Sequence, residues 1–116
     1  NLTKAVKLKK FTAFLFLGNM TIQEKRRKID TIDREIVDLL IERSATSREI
    51  SMLKISAGLP ISDRSRETSV ISTALANAGG RISDAAIFQI YEAIMAESRR
   101  VQQAVRHELF SNGAMR

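Results

Sequence analysis

The feature that most constrains the fold is a stretch of ~35 residues without glycine or proline, from Thr21 or Ile22 to Ser56. Its apolar residues recur at spacings of three, four and seven, which predicts one apolar stripe along a long α-helix. These residues are Ile29, Ile32, Ile36, Leu39, Leu40, Ile50 and Leu53. At 1.5 Å per residue the helix would be ~50 Å long. One small subunit cannot bury such a stripe, so the helix requires a second chain or a long returning helix.

The composition is typical of a helical protein. One proline and five glycines among 116 residues, with 44% hydrophobic residues, suit one all-α domain. The absence of cysteine excludes disulfides and thiolate catalysis. A single histidine, His107, excludes a multi-histidine metal site. We therefore expect neither a metal nor a cofactor.

The net charge of +6 belongs to the beginning of the chain. Residues 1–30 carry eight basic and two acidic residues, whereas residues 31–116 carry eleven of each. This distribution argues against nucleic-acid binding by the whole domain. Residues 1–19 join a basic segment to an apolar run too short to span a bilayer.

We interpret residues 1–19 as a leader or arm of uncertain role. A segment that touches a membrane or a partner, and a signal peptide, are the alternatives. Residues 20–116, which begin at Met20, form the predicted helical domain. We expect this domain to be cytoplasmic, with neither a membrane nor a nucleic acid as its partner.

Local start and stop signals predict two further helices, and so three in all. Glycine and proline follow the ends of helices, and Ser or Asp caps their beginnings. The signals are Gly58 and Pro60 after the first helix, Ser62 or Asp63 before the second, Gly79 and Gly80 after it, and Ser83 before the third, which continues to Phe110.

Polar side chains interrupt the apolar faces of these helices. Arg43 and Lys54, eleven residues apart, lie on the stripe of the first helix. Ser98 and Gln102 interrupt the stripe of the third helix at i and i+4. Cations seldom point inward without a partner, and arginine forks suit carboxylates. Together with Arg26, Asp63, Arg66 and Glu67, these side chains would line a site for a small dianion that carries a hydroxyl group.

Each of these residues also has a purely structural interpretation. Among the cations, Arg26 can be solvated, Arg43 can be a buried ion-pair partner or a snorkelling side chain, and Lys54 can complement the helix dipole. Asp63 can be a helix cap, and Arg66 and Glu67 can form a surface pair. Ser98 and Gln102 can form hydrogen bonds to a neighbouring helix. Arg99 and Arg100 are interpreted as solvated or as neighbours of Glu97. Because the set contains no nucleophile–base pair, its chemistry would rest on positioning and electrostatics.

Taken in order, these motifs resemble the small all-helical chorismate mutases over about residues 22–108. The motifs are I-D-x-I-D at 29–33, E-R at 42–43, Lys54, P-I-x-D-x-x-R-E at 60–67 and E-S-x-x-x-Q at 97–102. The resemblance implies an intertwined helical homodimer with two equivalent sites, each completed by both chains. It also implies a Claisen rearrangement of chorismate to prephenate, without a cofactor, in phenylalanine and tyrosine biosynthesis.

The resemblance further implies a role for each residue. It implies that Arg43 binds a substrate carboxylate and that Arg26 reaches a carboxylate in the partner's site. Lys54 and Gln102 would donate hydrogen bonds to the ether oxygen, and Glu67 and the main chain near Asp63 would hold the ring hydroxyl. Ser98 would lie near the ring carboxylate, and Arg66 would line the site.

Two alternatives remain open. An isochorismate-pyruvate lyase uses the same scaffold, although the D-x-x-R-E pattern at 63–67 favours the mutase because the chorismate hydroxyl needs an acidic acceptor. A non-enzymatic helical dimer would instead use the basic arm to bind nucleic acid or an anionic membrane, and its binding would be salt-sensitive.

Overall fold

Four α-helices account for most of residues 2–17 and 21–111, the parts of the chain that the computed structural model describes. The helices are α1 (Leu2–Leu17), α2 (Ile22–Ser56), α3 (Arg64–Ala78) and α4 (Asp84–Ser111), and these parts contain no strand. The all-α class is confirmed, and α2, α3 and α4 are the three predicted helices. The count of three was too low, because residues 2–17 of the predicted arm form a further helix.

Reciprocal capping explains where α2 begins. The hydroxyl of Thr21 accepts a hydrogen bond from the backbone N–H of Glu24 at 3.1 Å, and the Glu24 carboxylate accepts one from the N–H of Thr21 at 3.2 Å. This capping box satisfies two of the donors left unpaired at a helix start. The first turn of the longest helix therefore has its own local stabilisation.

A left-handed glycine explains where α2 ends. Gly58 has φ of 68°, and its N–H bonds the carbonyl of Ile55 at 3.1 Å. The N–H of Leu59 bonds the carbonyl of Lys54 at 2.8 Å. This pair of bonds is a Schellman motif, and Pro60 then prevents further helix. The predicted stop at Gly58 and Pro60 is confirmed.

The caps of α3 and α4 lie at predicted positions. Asp63, and not Ser62, caps α3 by accepting a hydrogen bond from the N–H of Arg66 at 3.0 Å. Gly79 ends α3 in the left-handed region with φ of 55°. The Ser83 hydroxyl accepts the N–H of Ala86 at 3.2 Å at the start of α4.

The chain divides into two compact units, Asn1–Leu39 and Leu40–Arg116. The first unit contains α1 and the beginning of α2. In the second unit α3 packs against α4. The buried residues there include the apolar Ala74, Ile87, Met95 and Val105 and, from α2, Ser47 and Ser51.

The predicted stripe of α2 is exposed in the part of the chain that the structure describes. Its seven apolar residues are between 40% and 70% exposed, from Leu40 at the low end to Leu53 at the high end. This confirms that one subunit does not bury the stripe. The residues of α2 that are buried are small and polar, because Ser47 and Ser51 occupy the inner face.

In the parts of the chain that the structure describes, no helix combines the length and the hydropathy needed to cross a bilayer.

Candidate active site

A cavity of about 450 Å³ lies within the second unit, among α2, the loop before α3, α3 and α4. Seven of the eight predicted site residues line it: Arg43, Lys54, Asp63, Arg66, Glu67, Ser98 and Gln102. These seven residues lie on α2, on α4, in the first turn of α3 and in the loop before it, so the end of α2 and the start of α3 determine where the loop lies. The roles assigned to the seven residues stay predictions.

Arg26, the eighth predicted residue, belongs to the first unit and does not line this cavity. Its side chain is exposed on α2. Its expected service to a partner's site stays a prediction.

Arg43 reaches from α2 to α4 and is held there by a neutral oxygen. Its Nη1 donates a hydrogen bond to the hydroxyl of Ser98 at 2.6 Å, in a partly buried position. Among the described residues no carboxylate pairs with Arg43, so an ion pair within this chain does not hold its guanidinium. A guanidinium has five N–H donors, and the remaining ones stay free to bind a ligand.

The loop that follows α2 forms hydrogen bonds with both the main chain and the side chain of Lys54. Its carbonyl accepts the N–H of Leu59 in the Schellman motif, and its Nζ donates to the carbonyl of Ile61 at 3.3 Å. The ammonium group is only partly exposed and borders the cavity. Since an ammonium has three donors, two remain available after the bond to Ile61.

The N-cap and the first turn of α3 each contribute an acidic residue to the cavity lining. The cap interpretation of Asp63 is confirmed, and the residue lines the cavity as well. The expected surface pair of Arg66 and Glu67 is wrong, since Glu67 Oε1 instead accepts a hydrogen bond from Nη1 of Arg99 on α4. Within residues 21–111 the Arg66 guanidinium has no ion-pair partner.

Arg99 and Arg100, adjacent on α4, have different environments. Arg100 bonds Glu97 at 2.6–3.0 Å, as one interpretation expected, and this bond lowers the pKa of the Glu97 carboxyl. Arg99 lines the cavity and binds Glu67, although its side chain remains 46% exposed. The interpretation of Arg99 as merely solvated therefore missed its partner.

The cavity lining carries an excess of positive charge. Four cations, Arg43, Lys54, Arg66 and Arg99, face two carboxylates, Asp63 and Glu67. The excess of two charges suits a small dianion. No cluster of three His, Asp or Glu side chains that could hold a metal occurs in the described parts of the chain.

Comparison with known proteins shows the family to which this chain belongs. The family described as chorismate mutase type II matches residues 25–103, which is more than half of the chain. The chain belongs to the chorismate mutase type II family. The matched range includes all eight predicted site residues, and the resemblance identified from the motifs is confirmed.

A relative within the family supports the same assignment over a shorter range. A chorismate mutase of Methanocaldococcus jannaschii is 39% identical over 46 residues, which are 40% of this chain and 46% of that protein. The match thus spans about half the length of the relative. No solved structure matched the chain.

Half of the residues that line the cavity were not predicted from the sequence of this family member. The missed residues are Thr46, Ser47, Ile50, Ile61, Val70, Met95 and Arg99. A signal for one of them was present, because small residues at 47 and 51 allow a neighbouring helix to approach α2 closely. Ser51 is fully buried, and its hydroxyl bonds the carbonyl of Ser47 at 2.9 Å.

Proposed function

We propose that this protein is a chorismate mutase, which converts chorismate to prephenate by a Claisen rearrangement without a cofactor. The carrying observation is the cavity lined by seven predicted residues, whose lining, with Arg99 included, has an excess of two positive charges. Membership of the chorismate mutase type II family supports the proposal. The reaction would serve phenylalanine and tyrosine biosynthesis in the cytoplasm.

Arg43 clamps one carboxylate of the substrate. Its bond to Ser98 uses one N–H and orients the guanidinium without neutralising its charge. The fork therefore remains able to bind a carboxylate through two hydrogen bonds. Clamping matters because the rearrangement requires a folded substrate, and the enzyme removes much of the orientational entropy cost on binding.

Lys54 and Gln102 donate to the ether oxygen, where negative charge develops as the C–O bond breaks. Lys54 is fixed by the carbonyl of Ile61. The half-buried Gln102 amide lines the cavity, and no hydrogen bond joins it to another described residue. Donors placed where charge develops bind the transition state more tightly than the ground state.

Glu67 accepts the hydrogen bond of the ring hydroxyl, and the main chain near Asp63 assists. The two acidic residues line the cavity at the N-cap and in the first turn of α3. Arg66, whose guanidinium has no acidic partner within residues 21–111, lines the same wall. An acidic acceptor at this position favours the mutase over the isochorismate-pyruvate lyase.

We also propose a homodimer in which Arg26 completes the partner's site by binding a substrate carboxylate. The exposed stripe of α2 supports this, since an apolar surface of this extent on one helix marks an interaction face. A second copy offers the same stripe, and self-complementary contacts are typical of two-fold dimers.

An assay with purified full-length protein tests the function. We expect chorismate to disappear and prephenate to appear at equal rates, and isochorismate to release no pyruvate. Pyruvate release from isochorismate with chorismate unchanged would identify the lyase instead. If neither compound turns over, the protein is not an enzyme of this scaffold's known type, and salt-sensitive binding that is lost without residues 1–19 would identify the basic arm as its functional part.

A further inference from the structure

The ion pair between Arg99 and Glu67 joins two walls of the cavity. Arg99 stands on α4 at the first variable position of the E-S-x-x-x-Q motif, so the motif assigns it no role. Its Nη1 binds Oε1 of Glu67 on α3, and both residues line the cavity. The other carboxylate oxygen of Glu67 accepts no hydrogen bond from a described residue, so it is available to a ligand.

The pair restricts a side chain that would otherwise be loosely held. Glu67 is 27% exposed and Arg99 46% exposed. Exposed ion pairs contribute little to the free energy of unfolding, so stabilisation of the fold does not by itself explain the pair of Arg99 and Glu67. The charge-assisted hydrogen bond from Arg99 nevertheless favours one rotamer of the Glu67 side chain over the others. With Oε1 already bonded to Arg99, Oε2 is the carboxylate oxygen that accepts no hydrogen bond from a described residue, so both of its lone pairs are available to a ligand.

We propose that Arg99 is a positioning residue that makes the site selective for a substrate with a ring hydroxyl. It holds the Glu67 carboxylate with one oxygen bound and the other directed to the hydroxyl. The inference rests on the proposed function, because it takes chorismate as the substrate. Arg99 itself does not contact the reacting atoms.

The structure provides a matched control in the neighbouring arginine. Arg100 is exposed, binds Glu97 on its own helix and does not line the cavity. Arg100→Ala removes the same side chain from the same helix without touching Glu67. Arg99→Lys keeps a cation that can still reach the carboxylate, and it provides a second variant if Arg99→Ala folds poorly.

The test compares two substrates for each variant. They are chorismate and the analogue in which hydrogen replaces the ring hydroxyl. The readout is the ratio of their kcat/KM values. We expect Arg99→Ala to lower this ratio about tenfold, the scale of one hydrogen bond to a charged group. Arg99→Lys should restore most of it, and Arg100→Ala should leave it unchanged.

A second comparison separates positioning from a general charge effect. Loss of a cation weakens the binding of any dianion, which would lower kcat/KM for both substrates and leave the ratio unchanged. In a Glu67→Gln background, Arg99→Ala should not lower the ratio further, since the two residues act as one unit.

The outcomes distinguish this inference from the proposed function. A wild-type protein that does not turn over chorismate would overturn the proposed function, and this inference with it. An active wild type whose substrate ratio is the same in Arg99→Ala and Arg100→Ala would overturn only the inference. A lowered ratio in Arg99→Ala, with partial recovery in Arg99→Lys, would establish it.

Discussion

Arg43 and Lys54 are both held in the cavity by uncharged oxygen atoms. Arg43 donates to the hydroxyl of Ser98, and Lys54 donates to the carbonyl of Ile61. A carboxylate in either place would cancel most of the positive potential before a ligand arrived. A hydroxyl or carbonyl fixes the direction of the side chain and leaves its charge for the ligand.

Replacing Lys54 tests the proposed role of its charge. We expect Lys54→Ala to lower kcat by about 10²–10³, the typical effect of losing one donor to a developing negative charge. The measurement is steady-state conversion of chorismate to prephenate, with helix content and mass measured alongside. Turnover close to that of the wild type would remove Lys54 from the mechanism.

At the residue scale, local patterns predicted more than distant pairings. Asp63 and Ser83 were recognisable as caps because capping depends on neighbours three residues away. The pairing of Glu67 with Arg99 depends on how α3 is rotated against α4, and no local spacing encodes that rotation. Pairs between helices were therefore beyond what the pattern could predict.

At the scale of elements, the loop after α2 depends on Gly58. A Cβ at this position would meet no atom within 4 Å, so only the backbone conformation, with φ of 68°, resists substitution. We expect Gly58→Ala to lower the free energy of unfolding by about 1–2 kcal/mol, because L-residues disfavour this region. Gly58→Asn should cost less, since asparagine tolerates it. Urea unfolding measures both variants, and equal stability of Gly58→Ala and wild type would contradict this account.

The ion pair of Arg48 and Glu108 connects α2 with α4 at 2.7 Å. The bond to Arg48 lowers the pKa of the Glu108 carboxyl below its ordinary range. A carboxyl whose pKa is lowered by folding stabilises the native state above its unfolded pKa, and the effect is lost as the pH falls through the folded value.

We therefore expect Glu108→Gln to lower the melting temperature slightly at neutral pH and not at acidic pH. The effect should be small because both side chains are about half exposed, and it should weaken in high salt. Thermal melts of the two proteins across this pH range provide the measurement. A difference in melting temperature between wild type and Glu108→Gln that grows as the pH falls would contradict a stabilising ion pair between Arg48 and Glu108.

The elements themselves were largely predictable. The starts of α2, α3 and α4 follow from caps, and the ends of α2 and α3 follow from left-handed glycines. Helix α1 was not predicted because its basic and apolar residues are separated along the chain, not around a helix, so the sequence shows no helical period.

At the scale of the whole molecule, the proposed dimer predicts that two inactive variants complement each other. If Arg26 acts in the partner's site, a dimer of one Arg26→Ala and one Lys54→Ala subunit has one intact site and one site with both defects. Random mixing of equal amounts should restore about a quarter of the wild-type activity.

The measurement is chorismate turnover after the two variants are unfolded and refolded together, with each refolded alone as the control. Analytical ultracentrifugation establishes the mass of the assembly. Activity no higher than that of the two separate variants would place Arg26 in the site of its own chain or outside the site.

The exposure of the apolar stripe of α2 was predictable in part. The apolar spacing along the 35 residues of α2 predicted a face too long for one small subunit to bury, and the seven residues of that face are 40–70% exposed. The side of α2 that faces its own chain was not predictable, because small polar residues such as Ser47 and Ser51 occupy it. The sequence pattern locates an apolar face but not the neighbour that packs on it.

Asp63 has a consequence for how this protein can diverge. Asp63 caps α3 and also lines the cavity, so a substitution there affects the helix and the cavity together. Loss of the cap alone costs about 1 kcal/mol before binding is affected. Glu67 and Arg99 can change without uncapping a helix. We expect descendants that acquire new substrate preferences to accept their first replacements at those two positions, while the aspartate persists.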